Sequence, residues 1–210
     1  MSDATEDGGR LALWDWRRRV ALLYADVRAA ADPATGWRHW RAGRDELCRH
    51  HPQSPLEPVE RAGFDGLDYG AYDRRLRFAV ALTPIDGAPS NRVKTGADGT
   101  LTLTPCARTA GLARKLGSEL TLYWVEGYGG GVFLPFRDVS TGKTSYGGGR
   151  YLLDTLKGVD LGTDTEGRVI LDFNFAYNPS CAYSPRWVCP LAPPENTLTA
   201  AVEAGERYAF

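Results

Sequence analysis

No run of apolar residues in this sequence approaches the ~20 needed to span a bilayer, and the opening "MSDATEDGGRLALWDW" lacks the apolar stretch of a secretory leader. No membrane partner is expected, and a cytoplasmic location is. An excess of charge of one sign is lacking too. The formal net charge is −1, so the field of the whole molecule gives nucleic acid no reason to bind. Lysine is scarce, four residues against 21 arginines; genomic base composition explains that bias more simply than selection for carboxylate or phosphate contacts. The four cysteines form no C-x-x-C, and in a reducing compartment they are thiols. All three histidines fall within the first 51 residues. A nucleophile paired with histidine must therefore be assembled across the fold, and neither G-x-S-x-G nor H-E-x-x-H occurs.

What is present reads as one β-rich domain of a 210-residue chain behind a helical extension. Residues 1–10 carry no pattern and are expected to be a disordered tail. Leu13, Trp16, Val20, Leu23, Val27 and Ala30 then step by three and four, one apolar stripe of a helix. Asp32-Pro33 ends it. A second helix follows from Trp37 to about His50, with Trp37, Trp40 and Leu47 on one side, and "HPQSPLEP" stops it. These helices make an extension over residues 11–58.

From residue 59 to 210 the character changes. Short segments rich in β-branched and aromatic residues, 76–82, 100–106, 119–126, 132–138 and 168–175, are separated by Gly, Asp and Asn. They predict a mainly β fold, an antiparallel sandwich or open barrel, with the N-terminal pair of α-helices over one end or face.

Two glycine clusters invite a nucleotide-binding reading and fail it. "GKT" at 142–144 needs a glycine five residues before Gly142, where Arg137 stands, and it leads into "SYGGGR" rather than a helix. "GYGGG" at 127–131 has Val132 where a dinucleotide fingerprint needs its third glycine. Hairpin turns account for both, and no cofactor is expected. For a metal, Cys48, His51, Cys181 and Cys189 are the weak candidates; the spacing of the last two is not that of zinc ligands. The plainer reading is a half-buried Cys48 with solvated histidines at a helix C-terminus.

The stretch "DFNFAYNPSCAYSPRWVCPLAPPEN" (172–196) holds five of the 13 prolines and two of the four cysteines. It can be neither helix nor regular strand, so its buried backbone groups must be satisfied by side chains. If strand geometry ran through "RVILDFNF", Val169, Leu171, Phe173 and Phe175 would share one face. Asp172 and Asn174 would lie on the other, about 7 Å apart. Together with "WRAGRDELCRHHPQSPL", "SYGGGRYLL" and "VEAGERY", this stretch resembles a bacterial and archaeal family, domain of unknown function 1684. The resemblance covers nearly the whole chain. Its signature falls here on Arg137, Asp138, Tyr146, Gly147 to Arg150, Asp172 to Asn174, Tyr177 to Pro179, Cys181, Cys189, Pro190, Pro194, Glu195 and Asn196. The resemblance implies a β-rich fold and a set of residues that belong together, without an activity. The resemblance also implies that many relatives carry a longer N-terminal β segment, which the shorter helical region here replaces.

Three roles follow for the polar set. In the architectural role, Asp172 and Arg150 form an internal ion pair while Asn178 and Asn196 hold loop backbone. In the binding role, Arg137 and Arg150 clamp a small anionic molecule beside glycines that admit it. Tyr146, Asp172, Asn174, Asn178, Glu195 and Asn196 surround the ligand, and Tyr123, Trp124, Tyr146 and Trp187 form an aromatic wall. In the catalytic role, that of a hydrolase or lyase, Asp172 or Glu195 is general acid or base and Tyr146 a proton donor. Binding of a small anionic ligand ranks first of the two active roles, and a purely structural or interaction module is the third reading.

Overall fold

The computed structural model describes residues 3–96 and 99–208, with side chains from Gly9 onward. Its first element, α1 (Asp3–Ala29), begins well before the apolar stripe. The tail expected over residues 1–10 is thus helical from Asp3. Once the stripe has nucleated the helix, each further residue adds a hydrogen bond at small cost. Asp32 does more than end it. Its side chain caps α2 (Pro33–His50), accepting from Thr35 N at 2.9 Å and Thr35 Oγ1 at 2.8 Å, while Pro33 takes the first helical position. Trp37, Trp40 and Leu47 are buried as their spacing predicts, each contributing about 1.5–3 kcal/mol.

The helical hairpin lies against an antiparallel sheet of seven strands: β1 (Arg77–Pro84), β2 (Asn91–Lys94), β3 (Thr100–Ala110), β4 (Thr121–Val125), β5 (Gly131–Phe136), β6 (Arg150–Asp154) and β7 (Val169–Asp172). Its order is β6-β5-β4-β3-β1-β7, with β2 paired to the far end of the long β3. The sheet curls until its edges nearly meet. Tyr151 in β6 and Tyr177, just past β7, exchange backbone hydrogen bonds of 2.8 and 3.1 Å, which makes a nearly closed barrel. Apolar residues alternate between two layers. Tyr123, Phe133, Tyr151 and Ile170 pack under the helices with Trp40 and Phe175. Leu122, Leu134, Leu152 and Leu171 pack on the other face with Leu116, Leu198 and Val202.

The last strand is shorter than its pattern. β7 stops at Asp172 because the Asp172 carboxylate accepts from both Asn174 N (3.0 Å) and Asn174 Nδ2 (2.7 Å), turning residues 173–175 into a helical turn. The two side chains expected to stand about 7 Å apart are therefore bonded to each other.

His51 corrects another expectation. It is buried, edge-on to Trp16 with ring centroids 5.2 Å apart. Its Nδ1 accepts from Gln53 N, and its Nε2 stands 3.3 Å from Asp15 on α1. The turn after α2 folds back under α1, which the sequence spacing alone does not reveal. Asp15 also takes Arg18 at 2.5 Å and Arg19 at 2.7 Å. The Arg18 bond foremost, against partial desolvation and with Arg19 and His51 assisting, holds its carboxyl down at about 2. A folded pKa below the unfolded value of about 3.9 stabilises the fold above that value and is lost as pH falls through the folded one. Asp15→Asn should therefore lower the melting temperature at pH 7, and the deficit should shrink as pH falls from about 4 toward 2. A pH-independent deficit would show that the charge of Asp15 is not what holds α1 to His51.

Candidate functional site

The polar residues picked out by sequence fall into two groups, and the larger is architectural. Arg150 does not pair with Asp172. Fully buried, it reaches Asp138 at 2.6 Å and donates to the carbonyls of Val202, Ala204 and Glu206. It pins the C-terminal segment across the sheet edge. Asp172 instead meets Arg77 on the neighbouring β1 at 3.2 Å, since strand pairing places Arg77 directly opposite it. Burial raises the Asp172 pKa, though Asn174 and Arg77 oppose the shift. Asn174 also bonds both backbone groups of Asp73 and lends its carbonyl to Trp37 Nε1 on α2.

Asn196 stitches the loop to two strands. It accepts from Thr121 N and donates to the carbonyls of Thr121 and Pro135. Arg137 Nε donates to Ala192 O at 2.9 Å, and Glu195 accepts from Tyr123 Oη at 3.1 Å. The glycines beside them admit protein rather than ligand. A Cβ on Gly149, whose φ is +88°, would stand 2.6 Å from both Ala192 Cβ and Phe136 O; on Gly148 it would meet Tyr146 and Leu191. The proposed aromatic wall disperses as well. Trp124 is 40% exposed, while Tyr146 stacks edge-on against Tyr208 with centroids 5.2 Å apart. Burial raises the Tyr146 pKa to about 12.

The second group faces an internal space. A cavity of about 560 Å³ lies between the helical hairpin and the face of the sheet it covers. Val20, Leu23 and Trp40 line it from the helices, Leu101, Val125 and Phe133 from the strands, and Asn178, Trp187, Val188 and Cys189 from the C-terminal loop. Of the residues expected to bind a ligand, Asn178 alone lines it; Arg137, Tyr146, Arg150, Asp172, Asn174, Glu195 and Asn196 do not. Cys48 from α2 and Cys189 from the loop line it as well. Among the described residues no three His, Cys, Asp or Glu side chains are grouped to hold a metal ion.

The residues around this space carry several unpaired polar atoms. Tyr24 Oη, Tyr177 Oη, Tyr183 Oη and Asn178 Oδ1 are buried and lack a hydrogen-bond partner in the protein, and all four residues line the cavity. Trp40 Nε1 approaches Tyr24 Oη without reaching hydrogen-bond geometry. The orientation of Asn178 follows from its amide nitrogen, which donates to Arg207 O at 2.9 Å and Glu206 Oε1 at 3.3 Å, leaving Oδ1 unpaired. Beneath them runs a buried pair. Arg44 Nη2 meets Glu206 Oε2 at 2.8 Å and Arg44 Nε donates to Tyr69 Oη at 2.9 Å. Burial pushes the Glu206 carboxyl upward, and Arg44 together with Asn178 N draws it back.

At the opening, Arg17 is exposed and makes no ion pair with any described residue. Lys157, also on the lining, is committed to Asp154 at 2.5 Å. Sequence reasoning missed Arg17, Tyr24, Arg44 and Glu206. Tyr24 stands one position off the apolar stripe of α1, and Glu206 lies in the "VEAGERY" run without a distinguishing pattern.

A family model described as "Protein of unknown function (DUF1684)" matches residues 62–207. Among solved structures, the chain is similar to an uncharacterized protein of Haloarcula marismortui determined in solution by NMR. The two are 36% identical, with coverage of 82% of this chain and 92% of that one and a TM-score of 0.56. No curated protein matches.

The two arginines of the glycine-arginine region should separate in a stability measurement. Arg150→Ala strands a buried Asp138 and three carbonyls, and should cost about 3–5 kcal/mol in urea unfolding. Arg137→Ala removes one hydrogen bond of a half-buried side chain and should cost about 1 kcal/mol. Equal costs would overturn the architectural assignment of Arg150.

Proposed function

The chain is a member of the DUF1684 family, and we propose that it binds a small amphipathic anion in the cavity between its helices and its sheet. One observation carries this reading: five residues that line a largely apolar space of about 560 Å³, Tyr24, Trp40, Tyr177, Asn178 and Tyr183, each keep a buried polar atom without a protein partner. A buried polar group left unpaired costs about 1–3 kcal/mol, so a folded chain rarely keeps several in one place without a use for them. The volume suits a molecule of cofactor or metabolite size. Tyrosine hydroxyls offer donors, Asn178 Oδ1 offers an acceptor, and Trp40, Phe133 and Trp187 offer flat surfaces to an apolar body. Arg17 at the opening is the cation left for a carboxylate or phosphate, because Arg44 is committed to Glu206 and Lys157 to Asp154. None of the acid–base candidates Asp172, Glu195 and Tyr146 lines this space, and the reading is therefore binding rather than hydrolysis.

Anilinonaphthalene sulfonate, an aromatic anion, is a suitable probe. It should bind saturably with one-to-one stoichiometry, about tenfold more weakly to Arg17→Ala. It should be excluded by Leu101→Trp, which fills the space from the strand side. Absence of saturable binding, or undiminished binding to Leu101→Trp, would defeat the proposal.

Tyr177→Phe provides an independent check. It deletes a hydroxyl that nothing in the protein satisfies, so it should stabilise the ligand-free protein by about 1 kcal/mol while weakening probe binding. A hydroxyl serving only the fold would give a loss of stability instead.

A further inference from the structure

The four thiols of the chain are not equivalent. Cys48 is buried against the helical hairpin and Cys106 donates to Leu122 O within the sheet. Cys181 and Cys189 stand at the two ends of the short loop that closes one side of the cavity. They are half-buried, and they are neighbours, each thiol being the largest influence on the ionisation of the other. Tyr146 contacts the same place, its Oη donating to Cys181 Sγ at 3.7 Å. Cys189 itself lines the cavity.

The loop between them is fastened at its middle. Arg186 Nη2 donates to Ser54 O at 2.7 Å, Trp187 Nε1 to Pro55 O at 3.4 Å, and Ser184 Oγ bonds Glu57. These anchors tie the loop to the segment after α2. Buried structural thiols ordinarily stand alone and inert. Two neighbouring thiols at a cavity wall, one of them bonded to a phenol, form a reactive arrangement.

We propose that Cys181 and Cys189 are a redox-active dithiol, with Cys181 the nucleophile toward a hydroperoxide and Cys189 the resolving thiol, which together form a reversible disulfide in the cavity wall. In the first step the Cys181 thiolate attacks one peroxide oxygen. The O–O bond breaks, sulfur gains the oxygen as a sulfenic acid, and hydroxide leaves; the adjacent Tyr146 hydroxyl is placed to pass it a proton and recover one from solvent. In the second step Cys189 sulfur attacks the sulfenic sulfur, the S–O bond breaks, and the departing oxygen takes the Cys189 proton as water. Two thiols thus lose two electrons to one peroxide, and a small dithiol reductant reverses the change by exchange.

The local electrostatics agree with this division of roles. The hydrogen bond from Cys189, with a second from Tyr146, lowers the Cys181 pKa to about 6. The same bond from the other side, together with burial, keeps Cys189 protonated. The pair ionises once, and the Tyr146 hydroxyl, which donates to Cys181, favours the charge on that sulfur. This site stands apart from the ligand-binding reading, since its chemistry requires no occupant of the cavity.

The test uses the whole folded protein and stoichiometric hydrogen peroxide. Titratable thiols should fall from four to two. The mass should drop by two hydrogens, peptide mapping should join residue 181 to 189, and dithiothreitol should restore all four thiols. In Cys189→Ser, peroxide should leave a sulfenic acid on Cys181 that dimedone traps; in Cys181→Ser, Cys189 should react no faster than Cys48 and Cys106. Four surviving thiols in the oxidised wild type, or a bridge between other cysteines, would overturn the proposal without recourse to either variant. Trapping at Cys189 in preference to Cys181 would overturn the assignment of nucleophile.

Discussion

The carboxylate of Glu206 holds together three parts of the chain that share no strand pairing. It bonds Arg44 from α2, Asn178 N and Nδ2 from the C-terminal loop, and it belongs to the terminal segment that Arg150 grips by three carbonyls. A buried charge of this kind costs several kcal/mol in desolvation, which its partners offset only when every lone pair is used. Here they nearly are. The arrangement also fixes the floor of the cavity, because Asn178 can leave Oδ1 unpaired only while its nitrogen is held by Glu206 and Arg207. Without Glu206, the helices would lose their polar tie to the loop and Arg44 would become an uncompensated buried cation.

The same economy explains why so many polar residues of the loop are structural. A segment with five prolines cannot satisfy its own backbone, and it crosses strand ends whose carbonyls and amides also need partners. Asn196, Asn174 and Arg137 each meet backbone from another element. The glycines of the "GGGR" run complete this role. Ala192 N bonds Gly148 O at 3.0 Å, an approach that a side chain on Gly149 would obstruct, its Cβ standing 2.6 Å from Ala192 Cβ.

The fold was largely legible in the sequence, and the candidate site was not. Period-two segments identified five strands and period-3.6 stripes identified both helices, since each is a local pattern. β2 and β6 escaped, the first being only four residues long and the second beginning directly after three glycines. Strand order and barrel closure depend on pairings such as Tyr151 with Tyr177, which no local pattern specifies. The cavity is less legible still. Its wall draws on residues from α1, α2, β3 to β5 and the loop, and its distinguishing property is the absence of partners around tyrosine hydroxyls. A tyrosine with a satisfied hydroxyl and one without look alike in sequence. Arg150 and Asp172, both charged and both in the motif, attracted attention for the same reason and turned out to serve different neighbours.

The segment from Tyr177 to Pro190 carries three loads at once. Its first residue closes the barrel, its second joins the Glu206 network, and the remainder walls the cavity and bears the two thiols. A substitution that removes packing anywhere in it will therefore disturb stability and site together, and a lost activity will not by itself locate a ligand. Only changes that delete an atom without a protein partner escape this coupling. The Tyr177 hydroxyl and Cys181 sulfur meet that condition to different degrees. The hydroxyl has no hydrogen-bond partner in the protein, whereas the sulfur accepts from Tyr146 and neighbours Cys189. The phenol is thus the cleaner probe of binding. The thiol pair is better judged by the covalent bond it makes, which leaves a chemical record whether or not the fold has shifted.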